Sequence, residues 1–235
     1  MRIGIIGAMD VEISCLLEQL DDKKNESVYG FDFTVGRMFG YETVIVKCGV
    51  GKVNAARGTQ LMIDRYFPDI IINTGIAGAI GPEIDVGDVV ISESLVQYDV
   101  DATALGYAKG YLFTGISPDK PTVFTADPDV SQKLFLAAKK IVSGNTVRKG
   151  IIASGDIFVS SLELKKAIRS EFCAEVAEME GAAIAHVAKY CGIPFSVLRT
   201  ASDRADGSAA VSIKDFGEVT ARRSAAIVEE FIRSL

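Results

Sequence analysis

The 235-residue chain has no tryptophan, one histidine (His186), six prolines and four cysteines, and no uninterrupted apolar run approaches a membrane span. Each shortage excludes something. One histidine builds neither a His-rich metal site nor a repeated imidazole relay, so no metal is expected. Cys15, Cys48, Cys173 and Cys191 lie far apart without C-x-x-C spacing; they read as free thiols of a reducing compartment, not as a disulfide framework. A bilayer core needs roughly 20 predominantly apolar residues, and the apolar stretch from Ile3 to Gly7 is too short for a secretory signal. The cytoplasm is the expected compartment. Lys and Arg number 25 against 31 Asp and Glu, for a net charge of −6, and they are dispersed. Nucleic-acid binding needs clustered cations, so the expected partner is a small molecule.

What is present is apolar bulk. Hydrophobic residues make up 49% of the chain and the mean hydropathy is +0.26, which suits a sheet covered on both faces with some apolar surface left for a subunit contact. The length fits one α/β domain spanning 1–235. Strand patterns are expected at Arg2–Ile6, Phe31–Val35, Glu42–Lys47, Asp69–Gly75, Asp88–Tyr98, Gly150–Ala153, Ala174–Met179 and Ile193–Thr200. The second and third flank Gly40 as a hairpin. Helical spacing marks Val11–Leu20, Lys52–Tyr66, Asp129–Val142, Ser161–Phe172, Gly181–Tyr190 and Ile213–Arg233. Gly106–Thr125 reads as a long excursion, and loops of that length tend to be functional. The pattern gives an α/β fold, three-layered α/β/α, with a mixed and mostly parallel central sheet.

In such sheets ligands gather where strands end, which singles out the residues just past each strand. Glu12 follows Gly7-Ala8-Met9-Asp10; a carboxylate in the first turn of a helix is also what the helix dipole favours, so position alone assigns it no role. Val176-Ala177-Glu178-Met179-Glu180-Gly181 sets two carboxylates among apolar residues at a strand mouth. Such groups are desolvated unless paired or liganded. They can grip vicinal ribose hydroxyls, or simply form an acidic pair at a helix start; both readings stand. Arg199 and Asp203 end an apolar strand, where they can pair with each other or serve a site. Phe158, after a glycine turn, can stack on a flat base or fill the core. His186 reads as a packed histidine. Gly4-x-x-Gly7 is not the dinucleotide fingerprint, and no G-x-S-x-G elbow accompanies Ser202.

Taken in order, several segments together resemble the nucleoside phosphorylase/hydrolase superfamily, and within it the methylthioadenosine/S-adenosylhomocysteine nucleosidases. They are Ile3-Gly4-Ile5-Ile6-Gly7-Ala8-Met9 with Glu12, Gly51-Lys52-Val53-Asn54-Ala55-Ala56, Asn73-Thr74-Gly75 with Ala77-Gly78, and Asp99-x-Asp101-x-Thr103-Ala104. Ser154-Gly155-Asp156-x-Phe158, Glu178-Met179-Glu180 and Ser202-Asp203 complete the set. The resemblance implies a nucleoside phosphorylase-like fold and hydrolysis of an adenosine thioether without a cofactor. It implies that Asp203 serves N7 of adenine, that Glu12 takes a proton from water and that Arg199 helps position the site. It further implies that Glu180 holds the ribose hydroxyls, that Met179 packs on the sugar, and that Phe158 stacks on the purine while the backbone of Val159 reads its edge. Met9, Ile76, Ala77, Gly78, Glu178, Ser202 and Ile213 complete the implied substrate contacts. In a homodimer, the segment Asp101–Phe113, through Ala102, Leu105 and Phe113, would line the neighbouring subunit's 5'-substituent pocket.

Two alternatives share this fold: a phosphate-dependent purine nucleoside phosphorylase, and a nucleoside-binding protein without catalysis. Phosphorylases hold phosphate with arginines, one commonly soon after the first strand, and Gly7–Gln19 contains no Arg or Lys. The chain also departs from the family's frequent residues. Ile76 stands for a small hydroxyl residue, Leu105 for phenylalanine, Ile213 for an aromatic and Tyr98 for histidine. These changes bear on the choice among 5'-substituents.

Overall fold

The computed structural model describes residues 1–113 and 117–235, with the backbone alone over 210–214. Its frame is a ten-stranded mixed sheet. Strand β1 (Arg2–Gly7) lies between β4 (Tyr41–Lys47) and β5 (Ile70–Ala79), parallel to both. β5 in turn pairs in parallel with β10 (Phe195–Asp203). These strands read as near-continuous apolar runs because helices cover both faces. Strand β3 (Phe31–Met38) forms the expected hairpin with β4 through Gly40.

Helices α1 (Asp10–Glu18), α3 (Pro128–Ile141) and α6 (Ala209–Arg233) pack together on one face. Helices α2 (Lys52–Tyr66) and α5 (Gly181–Tyr190) pack on the other. Each side has its own apolar core, with Leu16, Leu134 and Phe231 in the first and Met62, Ile184 and Ala185 in the second. Helix α4 (Leu162–Phe172) covers a third, smaller cluster with Ile168 and Phe172. Helix α2 stops at Phe67, which adopts a left-handed conformation (φ 48°) just ahead of Pro68 and donates its N–H to Ile63 O. Proline disfavours continued helix in the residue before it.

Three features depart from the sequence expectation. Strand β2 (Asp21–Val28), with the sequence DDKKNESV, pairs along β3 although it carries no apolar alternation. It is an edge strand whose side chains face water, so backbone pairing forms it and hydropathy does not reveal it. The three-residue strand β7 (Val123–Thr125) lies inside the segment expected to be an excursion and pairs with β6 (Val89–Gln97). Finally, the sheet closes on itself. β5 pairs with both β10 and β9 (Val176–Glu178), β9 with β8 (Val147–Ser154), β8 with β6, and β6 with β10. Five strands thereby form a ring at one end of the molecule.

That closure positions the site. The C-terminal ends of β1, β5, β9 and β10 converge, and β10 carries a register irregularity between Ala201 and Asp203 that leaves Ser202 out of step and sets Asp203 opposite Gly78. Bulges of this kind re-aim a side chain, and they recur beside active sites.

Candidate active site

A cavity of about 210 Å³ opens at the convergence of these strand ends. Glu12 comes to it from the first turn of α1 and Asp203 from the end of β10. Glu178, Met179 and Glu180 arrive between β9 and α5, Ile76, Ala77 and Gly78 line it from β5, and Met9, Phe158 and Ser202 complete the expected contributors. Ala8, Val50 and Ala177 also line it. None was named as a substrate contact from the sequence, although Ala8 and Ala177 lie inside segments singled out there and Val50 stands next to the motif that begins at Gly51. Small or apolar residues offer no chemical signal of their own.

Glu12 is almost fully buried and its carboxylate is saturated by backbone donors. Ala8 N–H and Met9 N–H donate to Oε2 at 2.7 and 3.0 Å, and Ile76 N–H donates to Oε1 at 3.1 Å. The bond from Met9 also caps α1, so the helix-capping and functional readings of Glu12 describe one geometry. Gly75 permits the close approach: a Cβ there would stand 2.5 Å from Glu12 Oε1. Burial pushes the Glu12 pKa above the ordinary carboxylate value, opposed by Arg199 and by the three N–H donors. A buried carboxylate with a raised pKa is suited to accept a proton from water near neutrality.

Asp203 is equally buried. Ser202 Oγ donates to Oδ2 at 2.9 Å and Ala205 N–H to Oδ1 at 2.8 Å. Burial raises its pKa, opposed by the Ala205 and Ser202 hydrogen bonds and assisted by the negative charge of Asp206. The direction is the one a proton donor needs. A second cavity of about 30 Å³ adjoins this side, lined by Ile157, Val159 and Asp203 among others. Val159 is thus placed next to Asp203 while standing off the main cavity wall.

Behind the wall lies a charged cluster. Arg199, 1% exposed, donates through Nη2 to Asn73 Oδ1 at 2.7 Å and to Glu178 Oε2, and lies 3.8 Å from Glu180 Oε2. Burial disfavours its charge, but Glu178, Glu180 and Glu12 outweigh that and raise its pKa. Arg199 does not line the cavity and does not pair with Asp203. Glu178 also accepts from Ser154 Oγ and from the N–H groups of Glu180 and Gly181 at 3.0 and 2.7 Å. Both its oxygens are engaged by the protein, so Glu178 acts here as a brace for the loop that carries Met179 and Glu180. Glu180 is freer: Oε1 accepts from Gly51 N–H at 2.9 Å. Its pKa is pushed up to about 8 by burial and by the charge of Glu178, with Arg199 opposing.

A carboxyl group with a raised pKa in the folded state binds more protons there than in the unfolded chain. Its contribution to stability is therefore full below about pH 4.5 and declines as pH rises toward about 8. The ligand-free wild type is expected to lose several degrees of Tm over that window, and Glu180→Gln is expected to flatten the slope. A differential scanning fluorimetry series from pH 5 to 8.5 measures it, and equal slopes in the two proteins would contradict the assignment.

Phe158, on the cavity wall, is 44% exposed. Other expected residues lie elsewhere. Ala102, Leu105 and Phe113 are off this chain's cavity wall; Leu105 and Phe113 are 72% and 67% exposed, and Phe113 contacts the rings of Tyr107 and Tyr111. Ile213 falls in α6, and its side chain lies outside the described residues. His186 stacks on Phe124 away from the site. Among the described residues no group of His, Cys, Asp and Glu has an arrangement that holds a metal ion, and no helix is long and apolar enough to cross a membrane.

Comparison with known proteins shows the family. A family model described as the phosphorylase superfamily matches residues 2–233. The 5'-methylthioadenosine/S-adenosylhomocysteine nucleosidase of Geobacillus thermodenitrificans is 40% identical over 231 residues, covering 97% of this chain and 94% of that protein. The crystal structure of the nucleosidase of the same name from Neisseria meningitidis, in complex with methylthio-immucillin-A, superposes with a TM-score of 0.92 at 38% identity, covering 100% of this chain and 99% of that one. The native structure of futalosine hydrolase from Helicobacter pylori also gives 0.92, at 31% identity, covering 100% and 98%. The chain belongs to the phosphorylase superfamily and, within it, to the 5'-methylthioadenosine/S-adenosylhomocysteine nucleosidases.

Proposed function

We propose that the protein hydrolyses the N-glycosidic bond of 5'-methylthioadenosine and S-adenosylhomocysteine, releasing adenine and a 5-thio-substituted ribose. The observation that carries the reading is that Glu12 and Asp203, from opposite ends of the chain, line one cavity with burial raising both pKa values. Glu180, whose carboxyl group can bond ribose hydroxyls, and Phe158, whose ring can stack on the purine, line the same cavity. The chemistry is that of a glycosidase. One carboxyl assists the leaving group, the other activates water, and an oxocarbenium-like sugar forms between them.

Asp203, whose pKa burial raises, donates toward N7 of adenine, so the base departs without the full charge of an anion. Glu12, fixed by three N–H donors, takes the proton of the attacking water as the C–N bond breaks. Arg199 acts through Glu178 and Glu180, keeping the ribose-binding carboxylate in place. No Lys or Arg lines the described cavity, which supports water as the nucleophile because phosphate needs cationic partners. Incubation of the purified protein with 5'-methylthioadenosine, S-adenosylhomocysteine, 5'-deoxyadenosine and futalosine tests the reading by chromatography. Adenine is expected from the two thioethers. Binding by calorimetry with no base released over hours would leave a nucleoside-binding protein instead.

The protein acts as a homodimer in this proposal. Leu105, Phe113 and Val123 are exposed apolar side chains on or near the segment Asp101–Phe113, and that segment contributes nothing to its own chain's cavity wall. A second copy would bring Ala102, Leu105 and Phe113 to the 5' end of the site. Sedimentation equilibrium is expected to give twice the 25.1 kDa chain mass.

A further inference from the structure

Lys52, Asp99 and Asp156 come from three segments far apart in sequence, and none of them lines the cavity. Lys52 Nζ donates to Asp99 Oδ1 at 2.6 Å and to Gln97 Oε1 at 3.1 Å. Asp99 Oδ2 accepts from the Asp156 N–H at 2.9 Å. Asp156 Oδ1 accepts from the backbone N–H of Lys52 at 2.7 Å, which returns the circuit to its first residue. The ring joins the start of α2, the exit of β6 and the loop between β8 and α4. The side chains of Lys52 and Asp99 are each 16% exposed, so this ion pair is better sheltered from solvent screening than a surface pair.

Two parts of the nucleoside site hang from this ring. Gly51, one residue before Lys52, gives its N–H to Glu180. Its backbone (φ 99°, ψ 157°) belongs to a region that essentially only glycine occupies, and a Cβ there would stand 3.1 Å from Asp156 Oδ1. Phe158, the ring on the cavity wall, stands two residues after Asp156. Consecutive N–H groups of Gly51 and Lys52 therefore hold Glu180 with one bond and the Phe158 loop with the next.

We propose that Lys52, Asp99 and Asp156 form a positioning clamp that fixes the distance between the ribose carboxylate Glu180 and the base-stacking loop of Phe158. The assignment of those two roles rests on the proposed function. Lys52 reaches the loop twice, by its N–H to Asp156 Oδ1 and by its Nζ through Asp99 to the Asp156 N–H; the two links set the loop's position jointly, so losing both costs less than the sum of the two single losses. Asp156, Ile157 and Phe158 all face solvent, and outside the circuit the loop is tied by the Tyr98 hydroxyl, which donates to Ile157 O at 2.8 Å, and by buried Val159, so opening the circuit loosens the segment between these anchors.

The chain's lack of tryptophan gives the test a clean reporter. Phe158→Trp places a single fluorophore on the loop, and its anisotropy and acrylamide quenching are read without substrate. In that background Lys52→Met and Asp156→Ala are each expected to lower the anisotropy and raise the quenching constant, and Lys52→Arg to restore most of both. In the Phe158 protein the same two variants are expected to raise KM for adenine release about tenfold, with kcat less affected, because the defect is one of pre-positioning. The doubly substituted Lys52→Met/Asp156→Ala protein is expected to raise KM by less than the product of the two single effects. Lys52→Met/Asp99→Asn, which leaves no unpaired charge, separates a loosened loop from a destabilised fold: it is expected to keep the wild-type Tm and still lose anisotropy. Unchanged anisotropy in either single variant, or penalties in KM that multiply in the double variant, overturns the clamp. A protein that releases no adenine from any thioether overturns the proposed function and leaves the fluorescence result to decide the clamp.

Discussion

Asp203→Asn is expected to lower the rate of adenine release from 5'-methylthioadenosine by about 10²–10⁴-fold, the range a positioned general acid contributes. The fold is expected to stay intact. Asp203 Oδ1 accepts from Ala205 N–H, which asparagine's carbonyl can still do, and Ser202 Oγ can reverse its hydroxyl to accept from the new amide. The variant is expected to keep its shape and its grip on the nucleoside and to lose the proton. Glu12→Gln is expected to lose rate on the same scale, but for mixed reasons. Both Glu12 oxygens accept backbone N–H groups, so an amide necessarily turns an NH₂ toward a donor and leaves a buried N–H unpaired. Its Tm should fall where that of Asp203→Asn does not.

The pH dependence follows from the same burial. In the proposed mechanism, activity needs Asp203 protonated and is expected to fall as pH rises through its raised pKa; it needs Glu12 ionised and is expected to fall as pH drops through its raised pKa. A bell-shaped profile of kcat/KM is expected, with its acid limb above the ordinary carboxylate range of about 4. The alkaline limb should vanish in Asp203→Asn, measured on whatever activity remains.

The second large effect is on stability. Arg199→Met is expected to cost about 3–5 kcal/mol, because removing one member of a buried ion pair leaves the other charge without compensation. Here the stranded groups are Glu178, which Arg199 contacts directly, and Glu180 at 3.8 Å. Adding Glu178→Gln to Arg199→Met should recover part of the loss, since the double variant no longer buries that lone carboxylate. Urea denaturation of the three proteins measures it. A loss below about 1 kcal/mol in Arg199→Met, the value of a surface pair, would show that the cluster does not hold the Glu178–Glu180 loop.

Most of the frame was legible in the sequence because the buried strands are written in apolar runs that stop on glycine or charge, as at Ile70–Gly75 and Phe195–Arg199. Strand β2 was not, because water-facing side chains on both faces leave no period to read. Ring closure through β9 and the bulge at Ser202 were not legible either, since pairing partners and register are set by tertiary contacts. In the site, residues with charge or an aromatic ring at strand ends could be named from the chain alone. Their division of labour could not. Arg199 and Asp203, four residues apart at one strand end, allowed a simple mutual pair; in the folded protein Arg199 turns inward to Glu178 and Asp203 faces the cavity. Glu178 and Glu180 looked equivalent in sequence, yet the first is consumed by four protein donors while the second takes a single short backbone bond. Val50 and Ala177 offered no signal, because a cavity needs walls as well as chemistry. Lys52, Asp99 and Asp156 stood out only as parts of the family's motifs; their mutual contacts span 104 residues and exist only in the folded chain.

Phosphate dependence tests the central claim, that two buried carboxyls direct water onto the glycosidic bond, most directly. Initial rates of adenine release from 5'-methylthioadenosine should be measured in phosphate-free buffer and again across added phosphate, with the sugar product identified by mass. The account predicts full turnover without phosphate, a rate that added phosphate does not raise, and free 5-methylthioribose as the product. Turnover that appears only with phosphate and yields the sugar 1-phosphate would contradict it.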